Sequence, residues 1–452
     1  MFVGRTFELE LLNNNLSSVS TATLVYGKRR IGKTTLIKEA LKTSKDKYIY
    51  YECIKSTLKD NIDLLTNELK KANILLFDAK FDSLISLFEY INSLNYKVNI
   101  VIDEYPYLKV MEKNEYIDSV FQKIIDSYLS NINLIISGSH IGMMKDLDKY
   151  GNALFGRFKT KIVLEEFNYL EASLFYPSLS NYDKVAFYSV FGGSPFVLEK
   201  IDEKKSLKDN IINLLLNKDS IIYSYASMVL TSDISFIEQS RRIFAILRNT
   251  RMKYSDIQTK LSIEANGLLS KQLKVLTDMS FIRKNHPINK RRDDKKVTYD
   301  INDNLLRFYY TYLYTNNSSL EMIKPEIFYN HYIDKSIITF IAHRFEDIVK
   351  EYFKITCKYK NNDVLDIGTY YYDDSINKKN GEFDCALELI DGYALCEVKY
   401  LENKMTKQMV DKEIEQIKDI KELKIIDINF ASINGYDFDN DYIDGNDIYF
   451  KK

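Results

Sequence analysis

The stretch Gly27-Lys28-Arg29-Arg30-Ile31-Gly32-Lys33-Thr34 satisfies the phosphate-loop pattern G-x-x-x-x-G-K-[ST] at every position. Its chemistry is anion binding. The glycines let backbone N–H groups turn inward onto phosphate oxygens, Lys33 reaches the β- and γ-phosphates, and the Thr34 hydroxyl takes a place on Mg²⁺. Thr35 extends the cradle. Downstream, an apolar run ends in Asp103-Glu104. There Asp103 is expected to hold the Mg²⁺ shell and Glu104 to polarise the attacking water. Near the other end of the chain stand Asp384, Glu397 and Lys399. Two carboxylates that bind Mg²⁺ and a lysine that orients water or stabilises developing charge suit metal-assisted phosphodiester hydrolysis, and Glu346 could complete the site. A solvated strand face would show the same letters.

These residues need elements to place them. Ala22 to Tyr26 reads as a short buried strand before the loop, and Thr35 to Leu41 as a helix whose N-terminus faces the phosphates. Lys97 to Asp103 is a second strand that brings its carboxylates to the C-terminal edge of a sheet, where open α/β sheets bind ligands. Asn133 to Ile136 is a third, ending in Ser137-Gly138-Ser139-His140. Ser137 or Ser139 could sense the γ-phosphate, whereas a lone His140 reads as a packing or capping residue. Arg157 precedes a strand at 160–164 and either supplies charge to a transition state, in cis or to a neighbouring subunit, or is a surface arginine. In the C-terminal part, a long helix over 331–356 carries Glu346. Strands over 366–371, 381–389 and 393–400 follow, with Asp391-Gly392 as a tight hairpin turn. Glu397 and Lys399, two apart, share one strand face.

Between these halves, residues 241–296 hold fifteen Lys and Arg against five Asp and Glu, although the whole chain carries a formal net charge of −1. Such a local excess is the footprint of a nucleic-acid face, and DNA is the expected partner of this segment. The pattern fits a winged helix. Helices begin near Ile243 and Tyr254, with Ser255 as a cap. A recognition helix spans 267–279, with Leu268, Leu273 and Leu276 inward and Lys271, Gln272 and Lys274 outward. A wing follows, carrying Lys290, Arg291, Arg292, Lys295 and Lys296. The alternative is a winged helix that packs within the molecule. No apolar run is long enough to span a bilayer, no N-terminal signal pattern is present, and the four cysteines show no CxxC spacing. The expectation is a cytoplasmic protein with reduced thiols.

The opening Phe2-Val3-Gly4-Arg5, the phosphate loop, Asn99 to Leu108, Leu134 to His140, Phe155-Gly156-Arg157-Phe158 and Phe191-Gly192-Gly193-Ser194-Pro195, in this order, resemble the archaeal-type ATPases of the AAA/STAND group. That family is also found in bacteria, and its members often carry a C-terminal nuclease-like domain. The likeness runs from Phe2 to roughly Ile420. It implies ATP and Mg²⁺ as ligands, an opening segment packed by the adenine, and a Gly-x-Pro turn that touches the base. The C-terminal part resembles the PD-(D/E)XK nuclease fold, with Asp384 in the D position and Glu397-x-Lys399 as the (D/E)-x-K. Phe383 stands where that motif has proline. The fold class is therefore α/β. The expected divisions are a P-loop ATPase core over 1–175, a helical lid over 176–240, a winged helix over 241–315 and a restriction-endonuclease-like domain over 325–452. Two functions compete: an ATPase whose nucleotide cycle controls a DNA-directed nuclease half, or a STAND-like nucleotide switch whose nuclease fold is catalytically inactive. A homo-oligomer or a protein partner stays open in both.

Overall fold

The computed structural model describes residues 2–110, 114–228, 236–262, 267–421 and 423–450. Residues 263–266 of the basic segment therefore lie outside the described residues. The chain divides into two compact units, Met1–Glu166 and Phe167–Lys452. It is a mixed α/β protein, with a parallel-sheet P-loop core in the first unit and a separate C-terminal sheet in the second. No helix among the described residues is long and apolar enough to cross a membrane.

In the first unit, β1 (Thr21–Gly27), β2 (Lys47–Glu52), β3 (Val98–Asp103), β4 (Ile132–Gly138) and β5 (Thr160–Leu164) form one sheet in the order β2-β3-β4-β1-β5. All neighbours are parallel. β1, β3 and β4 are buried along their whole length, which is why they read as unbroken apolar runs. Alternate residues serve two cores. Val25, Val101 and Ile135 pack with Leu12 of α1 (Thr6–Ser17) and with Leu36 and Ile37 of α2 (Lys33–Thr43). Leu24, Ile100 and Leu134 face α3 (Leu58–Lys71), α4 (Leu84–Asn92) and α5 (Asn114–Ser127) through Leu65, Phe88 and Phe121. At the N-terminal ends of the strands the buried Asn133 ties the sheet together. Its Oδ1 accepts from the Thr21 hydroxyl at 2.9 Å, and its amide donates to Asn99 Oδ1 at 3.1 Å.

The second unit contains α6 (Asn181–Phe191), then α7 (Ile237–Leu247), α8 (Tyr254–Leu261) and α9 (Leu268–Asp278) with a small antiparallel sheet of β6 (Met252–Lys253), β7 (Ile282–Asn285) and β8 (Thr298–Ile301) in the order β6-β8-β7. Ile243, Phe244, Leu247, Leu273, Leu276 and Ile301 share a core. The phase of α9 differs from the expected one. Leu268 is 50% exposed and Gln272 is buried, whereas Lys271 and Lys274 are exposed as expected. Gly267 is left-handed and the helix starts immediately after it, so the buried stripe runs through Leu269, Gln272, Leu273 and Leu276. Ser255 does not cap α8, because that helix starts at Tyr254 after an extended Lys253.

The expected long helix over 331–356 is α10 (Ile337–Thr356), preceded by a separate turn over Tyr329–Ile333. It packs on a sheet of β9 (Asp366–Asp374), β10 (Lys379–Leu389), β11 (Gly392–Lys399), β12 (Ile425–Ser432) and β13 (Ile443–Asp444) in sequence order. β9 to β11 form an antiparallel meander. α11 (Lys407–Lys418) carries the chain over to β12, which is parallel to β11. Gly193 has a plain packing reason: a Cβ there would stand 1.9 Å from the Phe167 carbonyl oxygen.

Two polar groups fasten α10. Asp347 receives Arg283 at 2.8 Å and Arg344 at 3.2 Å. Glu351 accepts from the Tyr188 hydroxyl of α6 at 3.2 Å and from the Tyr169 amide at 3.3 Å. Burial pushes the Glu351 carboxyl up to about 7. The folded state therefore holds a proton that the unfolded chain releases near the ordinary carboxylate value, and stability falls as pH rises from there through about 7. Glu351→Gln is expected to flatten that part of the profile and to raise the urea midpoint above pH 7 relative to the parent. Equal midpoint differences between parent and variant at pH 5 and pH 8 would contradict this assignment.

Candidate functional site: a phosphate loop and a separate carboxylate cleft

The loop after β1 turns on itself through left-handed backbone at Arg30 (φ 61°) and Gly32 (φ 90°) before entering α2. Gly27 tolerates no side chain, because a Cβ would meet the Leu164 carbonyl oxygen of β5 at 2.3 Å. Lys33 is buried and folds over the loop, donating to the carbonyls of Gly27 at 3.0 Å and Lys28 at 2.9 Å. In that pose its ammonium closes the concavity that phosphate oxygens would fill. Lys28 pairs with Glu166 at 3.2 Å, and Arg29 donates to the Tyr107 hydroxyl at 3.2 Å. Ile31 is buried and fastens the loop from beneath.

Asp103 is the hub on the other side of the loop. Its Oδ2 accepts from the Thr34 hydroxyl at 3.1 Å and from the Tyr50 hydroxyl, and its Oδ1 accepts from the Ser137 hydroxyl at 2.7 Å. Four elements thus meet at one carboxylate: the loop, β2, β3 and β4. Burial, with Asp103 beside it, pushes the Tyr50 hydroxyl far above its usual range, so it acts as a donor. The neighbouring hydroxyl and carboxylate oxygens of Thr34 and Asp103 are a donor set suited to Mg²⁺. Glu104, held in a left-handed conformation (φ 51°), accepts from the Ser139 hydroxyl at 2.6 Å and the Ser139 amide at 3.2 Å. His140 caps the following turn through Nδ1, accepting from the Met143 amide at 3.3 Å. Arg157 lies in a two-pronged pair with Asp126, at 2.9 Å on both prongs. Arg5 pairs with Glu8 at 3.3 Å and donates to the Glu165 carbonyl.

Tyr50 was not foreseen from the sequence. Its signal is the alternation in Lys47–Glu52, whose buried Ile49 and Tyr51 leave Tyr50 on the opposite face.

In the second unit, the pairing of β10 with β11 runs from Leu389–Gly392 to Ala386–Leu395 and stops there. Beyond it the strands part around Asp384 and Glu397. The resulting cavity, about 550 Å³, is lined by Glu346, Glu382, Asp384, Glu397 and Glu413. Lys399 bridges Glu397 at 3.0 Å and Glu413 of α11 at 2.9 Å. Burial raises the Glu397 carboxyl, with Lys399 working against it. Burial opposes charge on Lys399, but Glu397 and Glu413 more than offset this and raise it. Asp384 is held by Arg251 at 2.7 Å, and Glu346 pairs with His343 at 3.5 Å. Among the described residues no three His, Cys, Asp or Glu side chains stand close enough together to hold a metal ion. Glu413 also escaped the sequence reading, since nothing in a Lys- and Glu-rich helix marks which acid turns inward.

The basic segment is partly spent within its own unit. Arg291 pairs with Asp366 and Glu388 of the C-terminal sheet, Lys296 sits 3.6 Å over the Tyr371 ring, and Arg283 pairs with Asp300 at 2.7 Å. Arg291 is nonetheless exposed, so these pairs tie the segment to the C-terminal sheet while leaving part of its charge at the surface.

Residues 2–201 match a family described as an ATPase domain predominantly from Archaea, and residues 309–415 match one described as Archaea bacterial proteins of unknown function. An uncharacterized protein of Methanocaldococcus jannaschii is 29% identical over 357 residues, 78% of this chain and 77% of that protein. Among solved structures, a Walker-type ATPase of Pyrococcus abyssi superposes with a TM-score of 0.51 at 18% identity, covering 68% of this chain and 96% of that one. That likeness shows the fold. The first part of the chain is thus similar to the archaeal-type ATPase domains and has their P-loop fold, and residues 309–415 are similar to the second family.

Proposed function

We propose that the protein binds ATP and hydrolyses it with Mg²⁺, and that the nucleotide cycle controls a DNA-directed C-terminal half. The observation that carries the first part is the hub at Asp103, which gathers Thr34, Tyr50 and Ser137 beside the loop closed by Lys33. Backbone amides of 27–35 cradle the phosphates and Lys33 reaches the terminal ones. Thr34 and Asp103 hold Mg²⁺, which when bound neutralises charge on the phosphate oxygens. Glu104, oriented by Ser139, takes the role of polarising the attacking water. Arg157 stays paired with Asp126 unless a neighbouring molecule or a nucleotide-driven rearrangement draws it away.

In the C-terminal half, the reading assigns 176–240 to a lid, 241–315 to a winged helix and 325–452 to a nuclease-like domain. Asp384 and Glu397 hold the metal, Lys399 stabilises developing charge on the phosphate, and Glu346 completes the set. One observation favours the second reading, a nucleotide switch with an inactive nuclease fold: Asp384 is paired with Arg251, and among the described residues no group of three metal-ligating side chains is assembled.

Lys33→Ala is expected to weaken ATP binding about a hundredfold or more, since it removes one charged partner of the phosphates. Glu104→Gln should keep ATP affinity within a few-fold and cut turnover by about 10² or more. Equilibrium binding of a fluorescent ATP analogue together with phosphate release tests both, and full turnover in Glu104→Gln would remove that residue from its role. For the other half, supercoiled plasmid is incubated with protein and Mg²⁺ or Mn²⁺. Nicking that disappears in Glu397→Ala, with ATP turnover intact, supports the nuclease. Intact plasmid under every metal, with turnover still lost in Lys33→Ala, supports the switch.

A further inference from the structure

The second unit contains a cavity of about 660 Å³ lined by Arg248, Arg251, Arg307 and Arg344, and by Glu346 and Asp384. The last two also line the carboxylate cleft, so the two spaces are neighbours that share these side chains. The arginines exceed their counter-ions. Asp300 serves Arg251, Arg283 and Arg307, and Asp347 serves Arg283, Arg344 and Lys350. Arg248 makes no ion pair among the described residues; its guanidinium donates to the Ala245 carbonyl at 2.5 Å. Arg307 and Arg344 are 5% and 7% exposed, and the Nε of each has no hydrogen-bond partner. Burial, with Arg344 and Arg283 alongside, disfavours charge on Arg307. One carboxylate oxygen each of Asp300 and Asp347 also lacks a hydrogen-bond partner, but five arginines, Arg248, Arg251, Arg283, Arg307 and Arg344, share three carboxylates, Asp300, Asp347 and Asp384, and that surplus suits an anion from outside.

A planar five-donor guanidinium suits phosphate, and several in one cavity suit a chain of phosphates. Tyr332, only partly buried, also lines this cavity and offers an aromatic ring against which a base stacks. We infer that this arginine cavity binds the phosphate backbone of a nucleic-acid strand and leads it to the carboxylate cleft, with Arg251 exchanging Asp384 for a phosphate oxygen. The exchange leaves Asp384 free to face the cleft, so strand binding and assembly of the acidic site become one event. This inference rests on the reading of that cleft as a phosphodiester site, but its binding step stands without cleavage.

The test uses the full-length protein in EDTA, so that no strand is cut, and a short fluorescein-labelled single strand of DNA, with an RNA strand of the same sequence alongside. Arg248→Ala and Arg251→Ala are each expected to weaken binding about tenfold. Each should also lower the slope of log affinity against log salt by about 0.7, one phosphate contact on a single strand. Lys271→Ala and Lys274→Ala, on the exposed face of α9, should leave binding unchanged. A thermal melt within a few degrees of the parent checks that the arginine variants fold. Arginine-dependent binding with no cleavage under any metal keeps the cavity and removes the nuclease reading. Binding that ignores both arginines and follows Lys271 and Lys274, binding of phosphorylated peptide in preference to either strand, or no binding by the parent, each overturns the inference.

Discussion

Asp300 sets the terms for the second unit. Its side chain is 1% exposed, and it is met by Arg251, Arg283 and Arg307. A carboxylate so placed is tolerable only while its cations stay, and removing one partner of such a pair typically costs about 3–5 kcal/mol. Arg283 reaches on to Asp347, so the small β6-β8-β7 sheet and α10 share one ionic framework. Because that framework positions Arg251 next to β10, the state of Asp384 depends on a residue from another part of the chain. The cavity, the cleft and the segment linking them are therefore placed by charge as much as by apolar packing.

The first unit uses a smaller version of the same device. Its sheet is held by apolar runs on both faces and by the Asn133 network at one end of the strands. At the other end Asp103 collects hydroxyl donors from three other elements. Each donor is neutral, so the geometry of the carboxylate is fixed without pairing it to a cation of the protein. That combination suits a site that must receive a cation.

The features legible in the sequence were those carried by uninterrupted local patterns. The loop from Gly27 to Thr34, the buried strands before and after it, and the Asp391-Gly392 turn are of this kind, and each corresponds to an observed element. Features set by distant partners were not legible. The edge strand β2 is short and half exposed, so its alternation gives the face of Tyr50 but not its partner Asp103. The phase of α9 depended on the helix starting straight after the left-handed Gly267, a matter of one residue that exchanges Leu268 for Leu269. The positive segment was legible as a charge excess. The partners of Arg251, Arg283 and Arg291 lie far along the chain, and no spacing rule connects them.

Glu104 occupies a left-handed backbone conformation that a residue with a Cβ adopts at a cost on the order of 1 kcal/mol or more. Its two hydrogen bonds with Ser139 keep it there. Glycine would relax this position, and so would a residue that let the backbone return to the extended region. Selection for robustness alone should therefore erode the acid. A protein drifting without need of its turnover would be expected to lose Glu104 before it lost Gly27, whose replacement would drive a side chain into Leu164. The two positions are held by different demands: Glu104 is kept against backbone strain, whereas Gly27 is kept by the closeness of β5 as well as by its place in the loop.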